Sequence, residues 1–593
     1  MRYSRIFQNT RKSENDLRQS KQLAANRSSS FLSKAVVPEL IRGLALTFTV
    51  CGSIYLVSAQ SLDTYPESIF VNGKIYTVDN ERSWVEAMAV TGGVISAVGL
   101  SEDIASMAGS NTRVIELEGK MVMPGIHDAH THLLHAGLKW THECRLPPNA
   151  GSDVILERLR ACASEKEHDG WIVAGDYNPN IPSNENLDRK FLDQVFPDIA
   201  VYIYDFTIHH ALVNTKALVL AGIDSSTVDP VGGRIVKDKV TNEPTGELIE
   251  MATVLVSRVI PPYSAKVQRD ALSYSIARCH QFGITSIQEA SGTRDLLKLY
   301  HEFDANEKLN LTVMAHIVWG SEKWGGDTVA RLDDLIKSRD KFASHHVATN
   351  ATKVWMDGAP LPPHFTEVGL QISNGEVQRD KLLFNQQQLE AKLTEWAQEG
   401  VKPKIHVAGA GSVRVALNAI ENAYRGLAKD VPRPDLAHSN LISKSDIKRY
   451  AELGVVAEMS PAIWHYGDVE GLEMVNNWWP FASLLTAGAN VTIASDWILP
   501  PTPNLFPALA GVITRSKESV GLADAIEMMT RNGAISVGKF DRFGSLEVGK
   551  SATFIVLDRN LFTIKPSEIG ATDVLLTVFE GEPVYSSSHF SFQ

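Results

Sequence analysis

The stretch Met123-Pro124-Gly125-Ile126-His127-Asp128-Ala129-His130-Thr131-His132 decides how the fold is read. It is an apolar run ending in alternating histidines. In an extended strand, positions i and i+2 project to the same side, so His130 and His132 present two imidazoles in one direction, as two ligands of one metal ion require. The spacing alone decides little. With 18 histidines among 593 residues, composition yields about half an occurrence of His-x-His by chance. The rest of the chain has to supply the context.

Downstream, amphipathic helical stretches alternate with short apolar runs. Ala271 to Phe282 precedes Gly283-Ile284-Thr285-Ser286-Ile287, and Gln387 to Glu399 precedes Lys404-Ile405-His406-Val407. Helix-then-strand alternation predicts a parallel sheet or barrel. Several apolar runs carry or end in a polar residue: Lys353, His406, His438 and Asp496. Strand ends of a barrel are where catalytic groups gather. A single such histidine is equally compatible with a hydrogen-bonded core residue. A lysine or aspartate among apolar residues is not, because an unpaired buried charge needs a metal or a partner.

The two ends of the chain read differently. Ile69-Phe70-Val71, Asn72-Gly73 and Lys74 to Val78 predict two strands around a tight turn, and Ala87 to Val90, Gly92-Gly93 and Val94 to Val98 repeat the pattern. Comparable strands return only at Ala552 to Leu557 and Val574 to Val578. Residues 60–120 and 546–593 are therefore expected to form one small sheet domain built from both termini, around a central body at 121–545. Within that body, residues 145 to about 265 are rich in Pro, Gly and Asn and read as an irregular insertion.

With 57 basic and 69 acidic side chains the formal charge is −12, and without a long basic run the chain is not expected to bind nucleic acid, whose affinity comes mainly from phosphate neutralisation. The first 42 residues are nevertheless rich in Arg and Lys, and the apolar run Leu44 to Val57 follows, ending at Val57-Ser58-Ala59. Basic then apolar then small-x-small is the plan of an export signal cleaved after Ala59. It predicts an exported protein, in a bacterial periplasm. The alternative is an uncleaved anchor that attaches the protein to a membrane through residues 44–57. Four cysteines, Cys51, Cys144, Cys162 and Cys279, are too few and too scattered to predict a disulfide scaffold.

Taken in order, these residues resemble the amidohydrolase superfamily and, within it, the amidohydrolase family 3 branch that contains N-substituted formamide deformylases. The likeness runs over about residues 66–585. It includes Pro124-Gly125 with His-x-His, His209-His210-Ala211-Leu212-Val213-Asn214-Thr215, Gly283-Ile284-Thr285-Ser286, and Lys353 with Asp357-Gly358. It continues through the segments around His406, His438 and Ser495-Asp496, and closes with Gly544-Ser545-Leu546-Glu547-Val548-Gly549-Lys550. The resemblance implies a (β/α)8 TIM-like barrel with a composite β-sandwich from both termini and an insertion after the first barrel strand. It implies one or two divalent metal ions per chain, zinc by expectation. His130, His132 and Asp496 would bind one ion and His406 and His438 a second, with a carboxylated Lys353 between them. It also implies a small-molecule substrate and hydrolysis of a C–N bond in an amide, formamide or cyclic amide by a metal-activated hydroxide. Asp496 would be the catalytic proton shuttle.

The sequence departs from the family pattern in places. Gly409-Ala410-Gly411-Ser412 lacks the acid and arginine usual after the strand histidine, and Ala359-Pro360-Leu361-Pro362-Pro363-His364 replaces a small polar run. Asn532-Gly533-Ala534 has Gly where Pro is usual, and Thr553 stands where Asp is usual. These departures leave the ligands intact and bear on substrate choice. They also keep two alternatives open: hydrolysis of another electrophile, an ester or a deaminable ring, and a ligand-binding homologue without turnover. His209 and Trp464 are candidates for substrate contact, and His465, Trp478 and Trp479 for an apolar wall. Glu289 is a candidate to support or replace a ligand, and His127 and His135 flank the metal strand and are expected to support it or be exposed rather than ligate.

Overall fold

The computed structural model describes residues 65–165, 169–184, 187–428, 430–464 and 475–590. The N-terminal segment on which the export expectation rests, and His465, lie outside the described residues.

Eight parallel strands make the central sheet: β1 (Ile126–Thr131), β2 (Ile284–Gly292), β3 (Thr312–Val318), β4 (Val347–Trp355), β5 (Lys402–Val407), β6 (Asp435–His438), β7 (Val456–Met459) and β8 (Asn490–Ile493). Each pairs with its neighbour in chain order. The ends meet beyond β8, where Asp496 N–H donates to the His130 carbonyl at 2.8 Å and Thr131 bridges Trp497 in parallel register. The result is a nearly closed barrel. Its strands are buried on both faces, as parallel strands covered by helices must be.

The helices carry ordinary start signals. Helix Ala265–Gln281 before β2 is capped by Ser264, whose side chain accepts from Val267 N–H, and helix Gln386–Gln398 before β5 opens with an Asn385/Gln388 capping box. Gly125 is required where the chain enters β1: a Cβ there would stand 2.2 Å from Thr285 Oγ1 on the adjacent strand.

The two termini form a β-sandwich. One sheet holds Ser68–Val71, Ala87–Thr91, Val94–Gly99 and Arg113–Glu116; the other holds Lys74–Tyr76, Trp84–Val85, Met121–Pro124, Phe554–Leu557, Val574–Phe579 and Glu582–Ser586. Phe70 from the first sheet meets Phe554 from the second edge-on, ring centroids 4.8 Å apart, in a core shared by Val90, Ile115, Val122, Val556 and Leu576. The Gly92-Gly93 hairpin forms with both glycines at positive φ. The hairpin expected at Asn72-Gly73 does not. The chain there crosses from one sheet to the other, because Gly73 N–H is taken by the Glu86 carbonyl and Lys74 N–H by that of Lys120.

The insertion is more regular than its composition predicts. Cys144–Arg145, Trp171–Tyr177, Ala200–Asp205, His210–Val213, Gly233–Lys237 and Pro244–Glu250 form a six-stranded mixed sheet, the Pro, Gly and Asn being concentrated in its connections. Cys144 and Cys162 are joined by a disulfide, a pairing the sequence reading did not find. Cys279 is buried and free. Among the described residues no helix is long and apolar enough to cross a membrane.

Candidate active site

The C-terminal ends of the barrel strands converge on one cleft, of about 640 Å³ counted to its open mouth. It is lined by His130, His132, His209, Lys353, His406, His438, Trp464 and Asp496, and by Trp478 of the expected apolar wall but not Trp479. β1 delivers His130 and His132, and the segment after β8 delivers Asp496. Asp128 clamps the two together: its carboxylate accepts from Ser495 N–H at 2.8 Å, from the Ser495 hydroxyl, and from His130 N–H at 3.2 Å. Asp496 and His438 both hold positive φ, +50° and +68°, a conformation that persists in non-glycine residues only where surrounding contacts impose it and that clusters at functional sites.

One ligand set is tight. Nε2 of His132 lies 3.4 Å and Nε2 of His130 3.9 Å from Asp496 Oδ1, and these three buried donors fall within 4.8 Å of one another. Two imidazoles and a carboxylate at that spacing fit a divalent transition metal ion. His438 Nδ1 lies 3.9 Å from the other Asp496 oxygen, its ring 4.7 Å from that of His130 and 4.5 Å from that of His406. Lys353 Nζ lies 3.1 Å from His130 Nε2. His406 is turned so that Nε2 lies 3.2 Å from the Gly358 carbonyl and 3.8 Å from Asp357. Burial holds the imidazoles of His130, His406 and His438 well below the ordinary histidine value, in the neutral form that binds metal. Burial, with the Lys404 ammonium nearby, brings the Lys353 amine down to about 7.

One supporting carboxylate, Glu458, was not among the residues singled out in the sequence. Glu458 on β7 receives His130 Nδ1 at 2.5 Å and pairs with Lys404 on β5. Asp357 accepts from Ala408, Gly409 and Val368 N–H and from the Ser412 hydroxyl, so it fixes the loop after His406; burial pushes it up to about 6. Ser412 thus belongs to a hydrogen-bond network in the very loop where the family's acid and arginine are missing. The signal for Glu458 was available: it is the one charge in Val455-Val456-Ala457-Glu458-Met459. Glu289 supports rather than ligates, accepting from Leu133 N–H, Ser291 N–H and Tyr300 OH, with His132 Nδ1 at 3.9 Å. His127 is buried against Ser286 and Gln288, and His135 is exposed.

The cleft walls are aromatic. Trp324 stacks on Trp355 at 5.3 Å, and Trp464 meets Trp478 edge-on at 5.6 Å. The insertion adds Thr207, Ile208 and His209. His209 Nδ1 lies 2.9 Å from Glu250, which also receives the Thr366 hydroxyl and has Lys323 at 3.6 Å. Burial alone would raise the Glu250 pKa, but His209 and Lys323 outweigh it and hold the carboxyl well below the usual range.

Barrel, sandwich and a histidine-carboxylate centre at the strand ends together define a metal-dependent hydrolase. Residues 113–585 match the amidohydrolase family, and the chain belongs to that family. It is 27% identical over 542 residues to the N-substituted formamide deformylase of Arthrobacter pascens, covering 86% of this chain and 97% of that one. It is 26% identical to the protein LONG AFTER FAR-RED 3 of Arabidopsis thaliana, covering 87% and 91%. A crystal structure of an uncharacterised metal-dependent hydrolase of Pyrococcus horikoshii shares the fold with a TM-score of 0.65 at 20% identity, covering 85% of this chain and 99% of that one.

Proposed function

We propose that the protein hydrolyses a C–N bond in a small amide, formamide or cyclic amide. The observation that carries the reading is the grouping of His130, His132 and Asp496 within 4.8 Å at the floor of the cleft, with Lys353, His406 and His438 beside them. Similarity to a formamide deformylase over nearly the whole of both chains supports the bond type.

A divalent cation held by these residues, zinc in this reading, supplies Lewis acidity that activates water and polarises the substrate carbonyl. His130, His132 and Asp496 would hold one ion and His406 and His438 a second, and Lys353, carboxylated on Nζ, would supply a further anionic ligand. Asp496 takes the proton of the attacking water and returns it to the departing nitrogen. Glu458 holds His130 with Nε2 turned toward the centre, as the carboxylate partner of a ligating histidine does. His209, held by Glu250, and Trp464 contact the substrate, and the tryptophan walls keep bulk water from the reacting atoms.

The test is a comparison of metal-loaded and chelator-stripped protein on N-alkyl formamides, cyclic amides, esters and amino-substituted heteroaromatic rings, with amine, acid and ammonia release measured. Metal-dependent amine release from an amide is expected. Turnover of esters or rings alone would move the reaction to another electrophile. A metal-loaded protein inert to every class would leave a ligand-binding homologue.

A further inference from the structure

A second cluster of metal-binding side chains stands at the opposite end of the barrel. His345 and His346 immediately precede β4, whose far end carries Lys353; six strand residues separate the two ends, about 20 Å. Glu580 lies in the turn joining the sandwich strands Val574–Phe579 and Glu582–Ser586. His346 Nε2 is 3.3 Å and His345 Nε2 4.0 Å from the same Glu580 oxygen, and the three donors fall within 4.8 Å of one another. We propose that His345, His346 and Glu580 form a second divalent-cation site, of the kind that takes Zn2+, fastening the sandwich to the N-terminal face of the barrel.

In the catalytic cluster the histidine-to-carboxylate separations are 3.4 and 3.9 Å; here they are 3.3 and 4.0 Å. Bonds of about 2.0 to 2.1 Å arranged tetrahedrally place neighbouring ligand atoms about 3.3 Å apart. The support is repeated as well. Asp304 receives His346 Nδ1 at 2.6 Å and His346 N–H at 2.9 Å, as Glu458 receives His130 Nδ1 at 2.5 Å, and a carboxylate on the far nitrogen is what orients a ligating imidazole. The second Glu580 oxygen is occupied by Arg542 at 3.1 Å, which fixes the carboxylate and leaves the shared oxygen for the cation. A simple ion pair between Glu580 and His346 needs no second histidine. His345, two-thirds exposed, completes a three-donor set and opens it to solvent. His345 and His346 also line a solvent cavity with Asn350 and Lys539.

The site is independent of the reaction assigned to the cleft, and its test does not use activity as the primary readout. The full chain, with its catalytic metal in place, is dialysed against Zn2+ and the bound metal counted, beside His345→Ala and Glu580→Gln. The wild type is expected to hold one more equivalent than either variant and to gain a zinc-dependent rise in thermal midpoint that both lack. His345→Ala removes an exposed side chain, so it tests the site without endangering the fold, and it should hydrolyse substrate like the wild type. Equal zinc content and equal thermal response in the wild type and both variants would overturn the proposal. So would loss of the extra equivalent in neither variant but in one lacking His132.

Discussion

Nδ1 of His130 lies 2.5 Å from Oε1 of Glu458, whose other oxygen is paired with the buried ammonium of Lys404. An imidazole that donates Nδ1–H to this carboxylate directs its Nε2 lone pair toward Asp496. Lys404 in turn donates to the Ala129 carbonyl at 2.8 Å, so the chain of contacts returns to β1. Glu458→Gln keeps the shape but removes the negative charge that pairs with Lys404. Retention of metal after dialysis against a chelator should fall about 10- to 100-fold, the usual effect of losing such a partner. Glu458→Ala, which leaves Lys404 only the more distant Asp435 carboxylate at 3.5 Å, should also lower stability in chemical denaturation.

What the sequence made legible followed from local periodicity. His130 and His132 were readable because a strand repeats every two residues, and Lys353 and Asp496 because a charge in an apolar run needs a reason. Glu458 was missed although it meets the same criterion; its partner is 328 residues away, and only the barrel's closure brings them together. The turn at Asn72-Gly73 was misread for a related reason. The dipeptide is a strong local hairpin signal, but the sheet that accepts Lys74–Tyr76 is chosen by Met121–Pro124, its parallel neighbour. In the insertion, the Pro and Gly of the connections masked short strands such as Ala200–Asp205.

Lys353 sits fully buried beside the ligands, with Nζ 3.1 Å from His130 Nε2. An ammonium there has no lone pair to offer a cation, whereas a carboxylated amine offers two oxygens on a long stem. Lys353→Ala should abolish turnover and regain part of it with added short carboxylic acids, which replace the missing anion. The His345→Ala protein, which lacks the outer cluster, should hold two metal ions per chain by elemental analysis. Full activity with one ion per chain would remove the bridge from the reading.

Glu250 ties the insertion to the cleft. Its carboxyl is held below the ordinary range by His209 and Lys323 against the opposing effect of burial. A depressed carboxylate contributes stability that is present above its unfolded value of about 4.3 and is lost as pH falls through the folded one. Glu250→Gln should therefore cost about 3 to 5 kcal/mol at neutral pH, where it takes the paired carboxylate from buried Lys323, and progressively less as pH falls from about 4 toward the depressed folded value. Urea denaturation of both proteins at neutral and acidic pH gives the comparison. A cost that does not shrink in acid would remove the ion pair as its source.

We propose that the protein is exported and that its mature form begins near Gln60. The disulfide between Cys144 and Cys162 supports this, since such bonds persist in oxidising compartments. N-terminal sequencing of the protein recovered from the periplasmic fraction should read from about residue 60, and reductant should lower the denaturation midpoint. Closing a loop of 18 residues is worth about 3 kcal/mol, and Cys162→Ala should lose a similar amount. A soluble cytosolic form beginning at Met1 with both thiols free would count against export.

Asp496 makes the sharpest test of the chemistry. Its two oxygens lie 3.4 Å from His132 Nε2 and 3.9 Å from His438 Nδ1, so one carboxylate faces both ligand sets. Its backbone is held at φ +50°, a region in which Asn is at least as comfortable as Asp. Asp496→Asn should therefore fold normally and keep the N–H bond to the His130 carbonyl. What it loses is the negative charge that, in the proposed reaction, accepts a proton from water and returns it to the leaving nitrogen, a role worth about 10² to 10⁴ in rate. The expected result is a fall in kcat of at least about a hundredfold with KM changed much less, because the cleft walls that bind substrate are untouched. A folded Asn variant with full metal content and near-normal kcat would take the proton-transfer role away from Asp496.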